Sequence, residues 1–190
     1  MGAALGLVVA SVPMAVVAVL VRRSLGSPIL FKHVRAGRDG HPFTMLKFRT
    51  MQPEGVGPLD SADDARRVTP LGRRLRASSL DELPQLWNVL RGDMSLVGPR
   101  PLLLDYLDRY TPEQHRRHDV RPGLTGLAQV EGRNGLGWDE RLAIDVRYVD
   151  TWTLPGDLAI LARTVGVVLR RSGVSAAGHA SMPRFAGSGR

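Results

Sequence analysis

The residues best suited to chemistry are concentrated between positions 73 and 101. Two adjacent carboxylates, Asp81 and Glu82, precede a helical repeat of leucine and tryptophan that ends at Gly92. This pattern predicts that both carboxylates lie on the first turn of a helix, where the helix dipole stabilises an ionised acid. A capping box beginning at Ser79 would explain the same residues, so the Asp81–Glu82 pair does not by itself establish a site.

Arginines and a rigid turn flank this pair. Arg73, Arg74 and Arg76 precede it, and a Gly-Pro-Arg-Pro turn that contains Arg100 follows it. The planar guanidinium group of arginine binds two phosphate oxygens at once. A capping box requires none of these residues, so their convergence indicates an anion site beside an ionised nucleophile.

These segments resemble the core of the bacterial sugar transferases, the monotopic polyprenyl-phosphate phosphoglycosyl transferases. The resemblance extends from about position 7 to position 171. It is carried by KFRTM at 47–51, SLDELPQ at 79–85, GDMS at 92–95, GPRP at 98–101 and RPGLTG at 121–126. The tail at 172–182 is similar to that of the small undecaprenyl-phosphate diacetylbacillosamine-1-phosphate transferase type, which acts on UDP-diacetamido sugars.

The resemblance implies transfer of a sugar 1-phosphate from a UDP-sugar to polyprenyl phosphate. Asp81 would attack the phosphorus bound to the sugar, release UMP and form an aspartyl-phosphosugar that the lipid phosphate then displaces. Glu82 would be a metal ligand or would assist the lipid phosphate. The implied catalytic residues are Asp81 and Glu82, which are also the expected Mg²⁺ ligands, and the implied substrate-binding residues are Lys47, Arg76, Arg100 and Arg133.

Alternatives stay open for Lys47 and Arg133, and for a further metal candidate, Asp93. Lys47 would otherwise be a cation on a solvated strand edge, where alternation also places Arg49 on its face. Arg133 lies in a glycine-rich loop at a position that contacts the nucleotide in the family, although a surface turn has the same composition. Asp93 is a weaker metal candidate, because an aspartate after a helix-ending glycine is commonly a turn former.

The composition narrows the class of partner. With 190 residues, a formal net charge of +8 and no cysteine, the chain suits one basic catalytic domain without disulfides. The few aromatic residues do not alternate with basic ones, which argues against nucleic acid. The expected partners are a UDP-sugar, polyprenyl phosphate and membrane lipid, and a homodimer is compatible with the sequence. The competing class is a non-catalytic membrane-anchored binder of acidic lipid or nucleotide, which would not need the intact Asp81–Glu82 pair.

An apolar segment at positions 1–21, followed by Arg22 and Arg23, predicts membrane attachment. It is long enough to span a bilayer, but Pro13 favours a kink or break and therefore a helix that re-enters on the same side. A signal peptide is disfavoured, because no basic region precedes the apolar run. Where the family has a Ser-Pro pair at the break, this chain has Ser11-Val12-Pro13. The expected location is the bacterial inner membrane, with the active site on the cytoplasmic face.

The predicted fold is α/β and mostly helical, with an N-terminal re-entrant membrane helix, a small β-hairpin and interfacial amphipathic helices around the Asp-Glu site. The predicted regions are a re-entrant membrane helix at 1–24, a catalytic sugar transferase domain at 25–171 and a C-terminal tail at 172–190. Cap and turn residues predict further elements. These are strands at 28–31 and 43–49 around a turn at 38–40, helices beginning at Thr69-Pro70 and Thr111-Pro112, a helix at 102–110, a type II turn at 121–123, a strand at 127–130, and helices at 138–150 and 158–169.

Overall fold

Most of the residues that the structure describes are helical, as the sequence predicts. The computed structural model describes residues 2–52, 67–132, 136–169 and 184–187. Its α-helices are α1 (Gly2–Leu25), α2 (Pro70–Ala77), α3 (Gln85–Arg91), α4 (Pro112–His115), α5 (Leu127–Glu131), α6 (Trp138–Asp150) and α7 (Leu154–Leu169). The strands β1 (Leu30–Ala36) and β2 (Pro42–Phe48) form one antiparallel sheet, and β3 (Ser95–Val97) and β4 (Gly123–Thr125) form a short parallel pair.

The predicted hairpin is confirmed, and its first strand is longer than expected. A short 3₁₀ turn at Arg38–Gly40 joins the strands, and Asp39 adopts a positive φ of 54° in that turn. The register pairs Phe31 with Lys47 and His33 with Met45. Met45 and Lys47 are two residues apart on β2, so their side chains lie on the same face of the sheet. Because Met45 is buried, Lys47 is also directed inward.

Helix α1 packs one face on the hairpin and α2 and leaves the other face exposed. Val17 and Val21 are buried against Phe48 of β2 and Leu75 of α2. The helix runs through Pro13 without interruption, so the two separate half-helices that the proline allows are not observed. Its segment Gly6–Leu25 has a mean hydropathy of 1.8 and is long and apolar enough to cross a membrane. The exposed apolar side chains of α1 include Val8, Val9, Val12, Val16, Val19 and Leu20.

Helix caps are the elements that the sequence predicts most closely. Thr69 caps α2 by accepting a 2.9 Å hydrogen bond from the Gly72 amide, and Pro70 occupies the first turn. Thr111 and Gln114 form a complete capping box at α4. Gly92 ends α3 with φ at 85°, a conformation that glycine adopts without steric cost. Each cap forms within one helical turn, which is why short sequence patterns reveal it.

Two predicted local structures are wrong. The segment 121–123 is not a type II turn, because Gly123 belongs to β4 and does not have the positive φ that such a turn requires. A β-carbon on Gly123 would lie 2.1 Å from the Gly98 amide nitrogen, so glycine is needed for the approach of β4 to β3. The predicted strand at 127–130 is helix α5, because Leu127 and Val130 are one turn apart and pack on the cluster around Tyr148.

The C-terminal half has cores of its own. Helix α6 has the predicted bounds, and α7 begins earlier than predicted. Phe185 is 1% exposed and packs with Leu102, Tyr106 and Leu142. The tail prediction for 172–182 concerns residues outside the described part of the chain. The predicted helix at 102–110 is a 3₁₀ helix, Leu104–Arg109.

Candidate active site

The Asp-Glu pair lies on a 3₁₀ turn, Leu80–Glu82, immediately before α3. The expectation that both acids occupy the first turn of the α-helix is therefore wrong. Pro84 has no amide hydrogen and is favoured at a helix start, and α3 begins directly after it. The alternative explanation of the pair, a capping box beginning at Ser79, is not observed either, because Ser79 adopts a positive φ of 57° and its side chain makes no capping hydrogen bond.

The Glu82 carboxylate binds two cations. Its Oε1 accepts hydrogen bonds from Lys47 Nζ at 2.6 Å and from Arg100 Nη2 at 2.8 Å. Burial opposes ionisation of Glu82, but the Arg100 and Lys47 charges outweigh it and hold the pKa of Glu82 well below its usual range. Glu82 is therefore the member of the pair whose ionised form the surrounding charges favour.

Asp81 has a different environment. It is 7% exposed, and its burial together with the adjacent Glu82 charge raises the pKa of Asp81 above its ordinary value. The positive charges of Lys47, Arg76 and Arg100 oppose this rise. The acid therefore depends on these side chains for its ionised form, and the helix dipole expected from the sequence does not explain it.

Arg76 reaches the site from α2. Its Nε donates a 3.0 Å hydrogen bond to Thr50 Oγ1, and Thr50 is buried at the end of the hairpin. The structure thus brings together Lys47, Arg76, Asp81, Glu82 and Arg100 from four segments of the chain. Arg133 lies outside the described residues.

The turn that carries Arg100 is held by three other segments. The Gly123 amide donates to Pro99 O at 2.9 Å, and the Ala36 amide donates to Leu102 O at 3.1 Å. The carbonyl of Arg100 itself accepts a 2.7 Å hydrogen bond from Arg117 Nη2. Sequence analysis does not identify this contact, because Arg117 follows Arg100 by 17 residues and has no distinctive local pattern.

Asn88 connects α3 to the hairpin. It is 1% exposed, accepts a 3.1 Å hydrogen bond from the Leu46 amide and donates a 2.8 Å hydrogen bond to Thr44 O. Its amide nitrogen also donates to Asp93 Oδ2 at 3.1 Å. Asp93 therefore has a structural role at the end of α3, in agreement with the turn alternative. Asn88 is not identified from the sequence. A polar side chain within an apolar helical repeat is the pattern that could have indicated it.

Arg49 does not share the role of Lys47. Its guanidinium donates to Leu25 O and to Ser27 O, which lie at and just beyond the end of α1. Strand β2 ends at Phe48, so the alternation that placed Arg49 beside Lys47 no longer applies. Arg49 instead joins the apolar helix to the strand that carries Lys47.

In the described part of the site, two carboxylates, those of Asp81 and Glu82, are candidate metal ligands. Among the described residues, no group of three or more His, Cys, Asp or Glu side chains could hold a metal ion. Mg²⁺ is commonly bound by one or two carboxylates together with substrate phosphates. Asp81 and Glu82 are adjacent hard oxygen donors and fit that arrangement, with the substrate completing the coordination.

Comparison with known families agrees with this geometry. The family described as bacterial sugar transferase matches residues 1–171. The chain belongs to the bacterial sugar transferase family, and the expectation of a sugar-transferring enzyme is confirmed.

Named relatives extend the comparison. The chain is 52% identical over 170 residues to the "Uncharacterized sugar transferase EpsL" of Bacillus subtilis, covering 90% of this chain and 84% of that protein. It is 49% identical to the "UDP-glucose:undecaprenyl-phosphate glucose-1-phosphate transferase" of Caulobacter vibrioides, over 80% of this chain and 61% of the relative. It is 44% identical to the "Undecaprenyl-phosphate galactose phosphotransferase" of Salmonella typhimurium, over 78% of this chain and 35% of the relative.

Proposed function

We propose that the protein moves a sugar 1-phosphate from a UDP-sugar to a polyprenyl phosphate, as the first membrane step of glycoconjugate synthesis. The observation that carries this proposal is the buried Asp81 beside a Glu82 carboxylate held by Lys47 and Arg100. The names of the Caulobacter and Salmonella relatives support the substrate class. Those relatives are named for glucose and galactose, and the narrower diacetylbacillosamine resemblance stays a prediction.

The proposed reaction has two displacements at one phosphorus. In the first, an Asp81 carboxylate oxygen attacks the sugar-bound phosphorus, and the bond to the bridging oxygen breaks with its electron pair leaving on UMP. In the second, an oxygen of the polyprenyl phosphate attacks the same phosphorus. The bond to Asp81 then breaks, which restores the carboxylate and leaves a lipid diphosphate sugar.

The surrounding cations explain how two anions can meet. Phosphoryl transfer depends mainly on positioning and charge neutralisation, which Lys47, Arg76 and Arg100 supply beside Asp81. Bound Mg²⁺, with Asp81 and Glu82 as its protein ligands, would neutralise further phosphate charge. We also propose that Arg133 contacts the nucleotide.

We further propose that α1 re-enters the membrane, so that the site faces the cytoplasm at the level of the lipid headgroups of the bacterial inner membrane. The exposed valines of α1 would contact acyl chains, while Arg22 and Arg23 would lie beside anionic headgroups. Arg49 holds the end of this helix to the strand that carries Lys47. Anchoring the helix would therefore fix the depth of the site.

A non-catalytic binder is the competing proposal. A binder of acidic lipid or nucleotide benefits from cations but gains nothing from a buried carboxylate with a raised pKa. The environment of Asp81 therefore favours catalysis over binding alone.

Intact-mass spectrometry tests the proposal. Protein in detergent is mixed with each of several UDP-sugars without lipid, and the expected result is an increase equal to one sugar phosphate, with UMP release. Asp81→Asn should form no adduct, whereas Asp105→Asn, which changes an exposed aspartate, should behave like the wild type. An adduct on Asp81→Asn would show that the nucleophile is wrong. Nucleotide binding without adduct or UMP release would favour the binder.

A further inference from the structure

Arg117 and Asp145 form the most deeply buried ion pair among the described residues. Their side chains are 1% and 4% exposed, and Arg117 donates to Asp145 Oδ2 from Nη2 at 2.7 Å and from Nε at 3.1 Å. Arg117 belongs to the 3₁₀ turn Arg116–His118, and Asp145 belongs to α6. Neither residue touches the Asp81–Glu82 pair in any hydrogen bond or ion pair of the described chain.

Fold stability alone does not explain such a pair. Removing two charges from water is costly, and apolar side chains of similar volume often give equal or greater stability. What an apolar pair cannot supply is the third contact of Arg117, the 2.7 Å hydrogen bond from Nη2 to the carbonyl of Arg100. Asp145 binds both Nε and Nη2, so it sets the orientation of the guanidinium plane that makes this contact.

The carbonyl of Arg100 lies at the centre of a tightly constrained turn. Pro99 and Pro101 restrict the backbone on either side. The Gly123 amide donates to the carbonyl of Pro99, and the Ala36 amide donates to the carbonyl of Leu102. Arg117 binds the carbonyl of Arg100, which lies between these two contacts. The side chain of Arg100 then extends from a fixed backbone to Glu82 Oε1.

We propose that Arg117, oriented by Asp145, is a positioning residue that holds Arg100 against Glu82 and the substrate phosphate. This inference rests on the proposed function of Arg100 in phosphate binding. It assigns a role to Arg117, which contacts Arg100 directly, and to Asp145, which acts through Arg117. A displacement of about 1 Å at such a position is sufficient to slow a reaction by about 100-fold.

The first test separates positioning from stability. Arg117→Met and Asp145→Leu each leave one buried charge unpaired and should lower the Tm by about 10 °C. The double variant Arg117→Met/Asp145→Leu should recover most of that loss. If Arg117 positions Arg100, UMP release by the double variant stays about 100-fold slower than wild type. Recovery of the rate together with the Tm would overturn the proposal.

The second test asks whether the effect passes through Arg100. In an Arg100→Met background, the same double substitution should cause little further loss of rate, because the group it positions has been removed. Equal fold losses in both backgrounds would contradict positioning through Arg100. Arg116→Ala is the matched control, since the neighbouring Arg116 makes its ion pairs with Glu113 and Asp150 at the surface. Its rate should equal that of the wild type.

Two further measurements cover the remaining outcomes. If the double variant fails to fold, Arg117→Lys retains the charge without the planar fork, and it should lower the Tm less than Arg117→Met does while still losing rate. An unchanged rate would then overturn the proposal.

If the wild type releases no UMP with any donor, the proposed function fails, and hydrogen exchange decides the positioning role. The peptide at 95–105 should exchange faster in the double variant while the hairpin is unchanged, and equal exchange would refute it.

Discussion

Lys47 Nζ lies 2.6 Å from Glu82 Oε1, although 35 positions separate the two residues in the chain. Asn88 makes this approach possible, because its side chain bonds the backbone of β2 on either side of Met45 and thereby ties α3 to the hairpin. Arg100 binds the same carboxylate oxygen from a third segment. The charge state of the site is thus a property of tertiary packing.

Replacing Lys47 with methionine should slow UMP release by about ten- to hundred-fold, the value expected for one charge-assisted hydrogen bond. Glu82 would keep only its contact with Arg100, and the pKa of Glu82 should rise. Lys32→Met removes an exposed lysine from the other strand of the hairpin and should leave the rate unchanged. Steady-state UMP release measures both variants. Equal rates for the two would place Lys47 outside the reaction.

The rate of adduct formation should decline on acidification as Asp81 becomes protonated. Burial and the Glu82 charge raise the pKa of Asp81, so the midpoint should lie above the ordinary range for aspartate. Arg76 favours the ionised form, and Arg76→Gln should therefore move the midpoint to higher pH. Rapid-quench measurements across pH would detect this. An unshifted midpoint in the variant would mean that Arg76 does not act on Asp81.

Asp81→Asn should stabilise the fold near neutral pH. A carboxyl group whose folded pKa is raised destabilises the folded state above that pKa, and the penalty disappears below the unfolded pKa. The Tm gain of Asp81→Asn over wild type should therefore grow as the pH rises through the folded pKa of Asp81. Thermal scans from pH 4 to pH 8 test this, and a pH-independent difference would contradict it. Asp105→Asn should show no such trend.

Phe185→Ala should lower the free energy of unfolding by about 3–5 kcal/mol, the usual cost of truncating a buried phenylalanine. The ring contacts Tyr106, Tyr110 and Trp138 at centroid distances of 5.3–5.6 Å. The Phe185 amide also donates to the Tyr106 hydroxyl at 3.1 Å. Denaturant titration measures the change. The neighbouring exposed residue provides the control Arg184→Ala, and similar small effects for both variants would refute the packing role.

Topology can be measured with a cysteine inserted before Gly2, because the chain has no other cysteine. If α1 re-enters the membrane, an impermeant thiol reagent should fail to label intact cells and should label inverted vesicles. Pro13→Ala should shift some molecules towards a spanning helix, because it restores a backbone donor within α1. Labelling of intact cells that carry the cysteine variant with Pro13 retained would establish a spanning helix.

Short-range chemistry made several elements predictable from sequence. The Thr69-Pro70 start of α2, the Thr111–Gln114 capping box and the Gly92 helix end each involve partners within one turn. The hairpin was predictable for the same reason. The Asp81–Glu82 pair and its arginines were identifiable because the residue types are unusual together, and the motifs that contain them carry the resemblance to the sugar transferase family.

Other features depended on contacts between distant segments. The run Leu127–Glu131 is helical because it packs on the Tyr148 cluster, although the four residues at 127–130 taken alone fit a short strand equally well. Ser79 adopts a left-handed conformation where a cap was expected, since the chain must turn between α2 and the Asp81–Glu82 turn. The different ionisation of two adjacent acids arises from burial and from Lys47, Arg76 and Arg100, whose proximity only the folded chain creates.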